Sequence, residues 1–436
     1  MLMMLSLLAL SPLPSNLALK DPRVFIPGVA LCHLLLVRAL RYRRRDAMIK
    51  DFKRRHGSYD RDALSEMSVD EAWAILKQLT EQEFPSIFLL SVFFALFKTY
   101  GIPSISRLLA ATGQLAADNT ASKRAADTGM LIAEFLLNPP DSGRKYEAIA
   151  RTNYLHERYR KAGKITDPDL LYTLSLFALE PVRWANRHDW RQFTDLERTA
   201  MGVFWRDVGE AMEIPYDLLE PYMGEHGDGL DWLEAIDQWS LTYEESYMVP
   251  ADSNEKLAWG TLNVLMYNTP YRMRGFTLGI ASALMDERLR VAMRIENPSL
   301  VQEGVVRTFL TLRAWMVRYL HLPRPWWLRK KLFADEADPK TGKYSACMYV
   351  AHPWYVKPTF WSRWNPEALR TRFLWRGHLP GDDTYHPEGY AIEELGPDYQ
   401  KGRGQEEMER IKAQLMQRRK AQLEGGCPMS MFHNVR

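Results

Sequence analysis

The sequence predicts an all-α protein: a large helical domain behind an N-terminal membrane anchor, with a loop-rich C-terminal region. Three observations carry this. Apolar residues recur at three- and four-residue spacing through most of the chain between 68 and 320. No stretch sustains the two-residue alternation of a strand bounded by Asn-Gly or Asp-Gly turns. The N-terminal part separates into apolar runs followed by a dense block of positive charge.

Taken in order, residues 1–14 (MLMMLSLLALSPLP) and 24–37 (VFIPGVALCHLLLV) are apolar, and nine Lys or Arg stand between Arg38 and Arg55. A secretory signal carries its charges ahead of the apolar core; here they follow it. Counted through Leu40, with Arg38 snorkelling to the interface, the second run reaches 17 residues, the low end of a bilayer span. The basic flank should stay on the cytosolic side. The expectation is an anchor and basic collar over 1–45, a helical domain over 46–400 facing the cytosol, and a charged helix with a flexible tail over 401–436. A helix lying flat in the interface is the alternative to a span.

Beyond the collar, Ser68 with Glu71 three residues on has the form of a capping box before an apolar run. Residues 84–101 (FPSIFLLSVFFALFKTYG) are apolar on every side behind a proline. They are long enough for a second span, but their ends lack charge asymmetry, and a helix of this kind suits a core or the wall of an apolar pocket. Helices are predicted over 121–136, 145–162, 168–186, 196–212, 229–248, 276–293 and 301–320. In 196–212 the small residues Gly202, Gly209 and Ala211 allow close packing. From 322 onward proline and tryptophan accumulate, which predicts loops draped over the helical core. A charged helix starts near 405, with disorder expected after about 424.

The 436 residues allow two or three average domains or one large one. A net charge of +3 with both signs interspersed excludes a nucleic-acid partner at the level of the whole chain. Aromatic content of 12%, with 14 Trp, suits apolar cavities or a membrane-facing surface. Cys32, Cys347 and Cys427 are too few and too scattered for a disulfide framework or a zinc site, in keeping with a reducing compartment.

No dinucleotide, Walker, zincin, CxxC or nucleophile-elbow motif is present. His226 and Asp228 have the spacing of two ligands of a facial iron triad, but in a Gly-rich turn between helices. Cys427-Pro falls in the tail. The stretch RTNYLHERYRKAG (151–163) places a single histidine, His156, mid-helix. Thr152, His156 and Arg160 share a face one turn apart, as do Arg124 and Thr128 on an earlier helix. A haem iron takes one neutral imidazole, and its propionates take guanidinium partners. Such a histidine on a helix is more often an ordinary surface or core residue.

The stretches KRAADT, ARTNYLHERYRKAGKITDPDLLYTLSLFALEPVRW, DWR (189–191) and GVFWRDVGEAM resemble the fungal mpaB-type ER-bound oxygenases and, more distantly, the bacterial rubber oxygenases. WSLTYEESYMVP, LPRP, PWYVKPTFWSRW, PGDD and ELGP extend the likeness over nearly the whole chain. The resemblance implies an all-α oxygenase around haem b, anchored in the endoplasmic reticulum membrane. It would cleave a C=C bond in a prenyl or other lipophilic side chain with O2. By the same resemblance, His156 matches the proximal iron ligand and Arg160 the arginine one turn on. Arg124 and Thr128 match the pair on the distal side, with Arg124 set to orient a propionate or oxygen, Thr128 to hydrogen-bond oxygen, and Arg160 to pair with a propionate. Two positions depart from the rubber oxygenases: Asp127 stands where they carry a lysine, and Leu108 lies near the place of their proposed glutamate base. The resemblance therefore assigns no distal acid or base here. The alternatives to an oxygenase are a haem-binding sensor or carrier, and a haem-free membrane interaction protein.

Overall fold

The structure is a computed structural model that describes residues 22–114, 118–375 and 377–424. The apolar run 1–14, Cys427 and the tail beyond 424 lie outside the described residues. Helix α1 (Pro22–Leu40) presents nearly all its apolar side chains outward and buries only Val37. Helix α2 (Arg43–His56) carries most of the basic collar. The short α3 (Arg61–Ser65) is capped by Asp60, and α4 (Val69–Gln78) opens on the Ser68–Glu71 capping box that the sequence predicts. Its ladder then loosens into a π-turn over Leu79–Glu83, and the chain bends by 110° into α5 (Pro85–Thr99).

The body is completed by α6 (Pro103–Ala111), α7 (Asp118–Leu137), α8 (Gly143–Lys161), α9 (Asp167–His188), α10 (Asp195–Ala211), α11 (Gly229–Tyr247) and α12 (Asp252–Leu265). Of these, α7 to α11 match the predicted helices to within a few residues, whereas α6 and α12 were not among them. Helix α5, for which the sequence favours a core or pocket wall over a second span, packs along α9 with Phe94 against Trp184 at 4.9 Å between ring centroids. It is a core helix, which its all-round apolar surface permits. Around it Trp205, Trp232, Tyr172 and Phe204 are fully buried, and Trp205 stacks on Phe177. Helices α10 and α11 approach closely because Gly202 on one lies directly against the backbone of Gly229 on the other.

The predicted helix 276–293 is two helices, α13 (Arg274–Ala283) and α14 (Glu287–Met293). The Asp286 side chain accepts from the Leu289 amide and so starts a new helix within an apparently continuous pattern. After α15 (Leu300–Tyr319) come loops, the short α16 (Phe360–Trp364) and α17 (Pro366–Arg370), and a few isolated β-bridges. No β-strand occurs among the described residues. Finally α18 (Gln405–Glu424) lies along α8 and buries Met408 and Leu415.

Candidate functional site

Helices α7 and α8 pack together, and α12 joins α7 to α6. Helix α8 is set by Ser142, whose hydroxyl accepts from the Arg144 amide, and its far half is fixed on the end of α10. There Asn153 Nδ2 donates to the Ala211 carbonyl at 3.0 Å. Arg160 donates to the carbonyls of Met212 at 3.1 Å and Glu213 at 3.0 Å, and faces Asp167 at 3.4 Å. The last carbonyls of a helix need such partners, so Arg160 joins α8 to α10.

One turn before Arg160, His156 is enclosed by protein but keeps part of its surface accessible. No hydrogen bond to its ring nitrogens is found among the described residues. Burial, with Arg124 and then Arg160 adding positive charge, holds its pKa down to about 4. The ring is neutral at physiological pH, with a free nitrogen lone pair.

The charge that reaches it from α7 is well placed. Arg124 Nη1 donates to the Thr128 hydroxyl at 3.0 Å, and that hydroxyl donates to the Arg124 carbonyl at 2.9 Å. Among the described residues no carboxylate stands at ion-pair distance from Arg124. The half-buried guanidinium is thus oriented by a neutral neighbour, and its charge acts on Asp127 through space without a direct ion pair. Its charge also reaches Tyr100, at the end of the stretch 84–101, whose phenol is pushed up by burial. Tyr100 packs against a small apolar group, Ala121 and Leu257, which Leu109, Ala110 and Val264 also touch. The stretch 84–101 therefore borders this region through Tyr100, not along its length. Leu108 is half-buried on α6.

Asp127 is committed elsewhere. Its Oδ1 accepts from the Tyr355 hydroxyl at 2.5 Å and its Oδ2 from Lys123 at 3.0 Å, and burial raises its pKa. Neither Lys123 nor Tyr355 stands out in the sequence, although the one-turn spacing of Lys123 and Asp127 is visible there. A second unforeseen group is Arg151. Fully buried on α8, it donates to the carbonyls of Leu395 at 2.8 Å, Gln400 at 3.2 Å and Arg403 at 3.4 Å. Lys123 adds a bond to the Gly396 carbonyl at 3.1 Å. The segment 395–403, which contains part of ELGP, thereby straps α7 to α8.

His226 and Asp228 are structural. Asp228 accepts from the Leu230 and Asp231 amides at the start of α11 and pairs with Arg61, and His226 faces Asp62 at 3.3 Å. A separate cleft of about 710 Å3 opens between α5, α9, α11 and α14. It holds the buried Lys98 with Glu180 and Glu244, a charged lining unlike the apolar pocket expected for a lipophilic substrate. Among the described residues no three His, Cys, Asp or Glu side chains group as a metal site.

No family model matches the chain. Among curated proteins it is 41% identical over 408 residues to the ER-bound oxygenase mpaB′ of Penicillium brevicompactum, covering 93% of each chain. It is 39% identical over 356 residues to the ER-bound oxygenase mpaB of the same species, covering 81% of this chain and 83% of the relative. To the ER-bound oxygenase mpaB of Penicillium roqueforti it is 42% identical over 269 residues, covering 62% of this chain and 89% of the relative.

Proposed function

Because the chain belongs to the family of the ER-bound oxygenases mpaB and mpaB′, we propose that it is a membrane-anchored, haem b-dependent oxygenase. It oxidatively cleaves a C=C bond in a prenyl or other lipophilic side chain in fungal secondary metabolism. The observation that carries this is the pair formed by a neutral, unpartnered His156 and an Arg124 that makes no direct ion pair.

The residues present fit a haem. A macrocycle brings four iron ligands of its own and asks the protein for one imidazole and for cations at its propionates. His156 supplies the imidazole in the unprotonated state that ligation requires. Arg124 supplies the free guanidinium, and Thr128 fixes its direction. Arg160, already engaged with Met212, Glu213 and Asp167, sets the position of the His156 turn, and any bond it makes to a propionate adds to those contacts. When bound, the haem iron supplies the activation of O2. An uncharged alkene is recognised by apolar contact and exclusion of water, the role assigned to the group around Tyr100, Leu257 and Val264. Asp127, held by Tyr355 and Lys123, keeps α7 in register. The basic collar supports a body on the cytosolic face of the membrane.

The visible absorption spectrum of the full-length protein, purified in detergent and supplied with haem, tests this beside the His156→Ala variant. A Soret band in the parent that is lost or shifted in the variant is expected. A colourless parent, or a variant that retains full haem with an unchanged spectrum, overturns the assignment.

A further inference from the structure

The anchor is not the end of the apolar surface. Helix α15 exposes a stripe at helical spacing along its whole length: Val301, Val305, Phe309, Leu312, Trp315 and Tyr319. Its opposite side buries Leu310 and packs Val306 and Val317 on the core. The loop that follows exposes Trp326, Trp327 and Leu328, with Trp327 at 80% and Phe309 at 67% of full exposure. A continuous apolar stripe of this length on a folded body marks an interaction surface.

Two contacts identify its occupant. His33 in α1 lies with Nε2 2.7 Å from the carbonyl of Leu320, just past α15. At 1.5 Å per residue, His33 is roughly 10 Å along α1 from the Leu40 end. With α1 embedded in a bilayer up to the collar, the end of α15 lies about that far inside the boundary. A histidine in hydrocarbon requires a partner, and so does a C-terminal carbonyl; this bond satisfies both. Four residues on, Arg44 of the collar donates to the Arg324 carbonyl, so the loop returns to the level of the headgroups. There Trp326 and Trp327 are at the depth where tryptophan is enriched. Arg329 lies over the Trp326 ring at 4.1 Å, and Arg307, Arg318 and Arg324 are exposed beside the stripe.

We propose that the outward face of α15 and the loop 322–328 form a second membrane-contact surface, continuous with α1, which seats the body in the cytosolic leaflet. Its occupant is lipid: acyl chains against Phe309 and Leu312, and anionic headgroups against the arginines. This rests on α1 being embedded in the bilayer and does not depend on haem or turnover.

The test uses the full chain in vesicles of phosphatidylcholine with a minor share of phosphatidylinositol. Cys32, Cys347 and Cys427 are replaced by serine, and single reporter cysteines are introduced by Phe309→Cys, by Trp327→Cys and, as a control on α18, by Glu409→Cys. Each carries a nitrobenzoxadiazole dye. Blue-shifted emission, quenched by nitroxide-labelled lipids, is expected at 309 and 327, and water-like, unquenched emission at 409. All three positions are exposed, so the fold tolerates the dyes, and two reporters guard against failure of one. Emission at 309 and 327 matching that at 409 overturns the proposal. So does a blue shift that lipid quenchers do not touch, since a second copy or another protein would then cover the face.

Discussion

His156 owes its character to what surrounds it. Burial and the charges of Arg124 and Arg160 keep its pKa near 4, whereas a free imidazole titrates near 6.5. Between those values the unfolded chain binds a proton that the folded protein does not. The stability is therefore fully present above about pH 6.5 and declines as pH falls towards 4. For haem-free protein, melting temperatures at pH 7 and pH 5 should differ by more in the parent than in His156→Gln. The excess should correspond to on the order of 2 kcal/mol; equal pH slopes would show that His156 titrates normally. At this scale the sequence was partly legible. The spacing of Arg124 and Thr128 put them on one helix face, where they meet in a hydrogen bond. Asp127 could not be read in the same way: its partner Tyr355 is 228 residues away, and only tertiary packing makes it a structural carboxylate. The bonds of Arg160 to the end of α10 were not legible either, because they go to backbone carbonyls more than fifty residues away.

Among the elements, local pattern predicted position well wherever a single periodicity governed. The small residues of 196–212 predicted a close crossing, and Gly202 meets the Gly229 backbone. Gly202→Ala would drive a methyl group into a main chain that has little room to move. The expected cost is about 1–3 kcal/mol, read as a lower melting temperature with unchanged helical circular dichroism. A variant as stable as the parent would mean that α10 and α11 can separate without loss. The pattern failed at 284–286, where hydrophobic spacing runs on but the Asp286 cap restarts the helix. It was also silent on the strap 395–403. Loop residues carry no periodicity, and the three carbonyls taken up by Arg151 are backbone groups that no sequence displays.

For the whole molecule, the all-α class and the N-terminal apolar helix were legible from composition and charge order. The exposed stripe of α15 was hidden, because an amphipathic helix reads alike whether its second apolar face meets protein or lipid. The bond from His33 to Leu320 and the bond from Arg44 to Arg324 join anchor and body without a slack tether. An enzyme so fixed, acting on the lipophilic substrate proposed for it, samples that substrate in two dimensions. The quantity that sets its rate is then the mole fraction of substrate in the lipid, not its bulk concentration. With enzyme and total substrate held constant, adding empty vesicles that exchange substrate freely should slow turnover in proportion to the added lipid. A rate indifferent to added lipid would mean that substrate arrives through water. Slowing by added lipid makes surface dilution, rather than solubility, the natural language for this enzyme's kinetics.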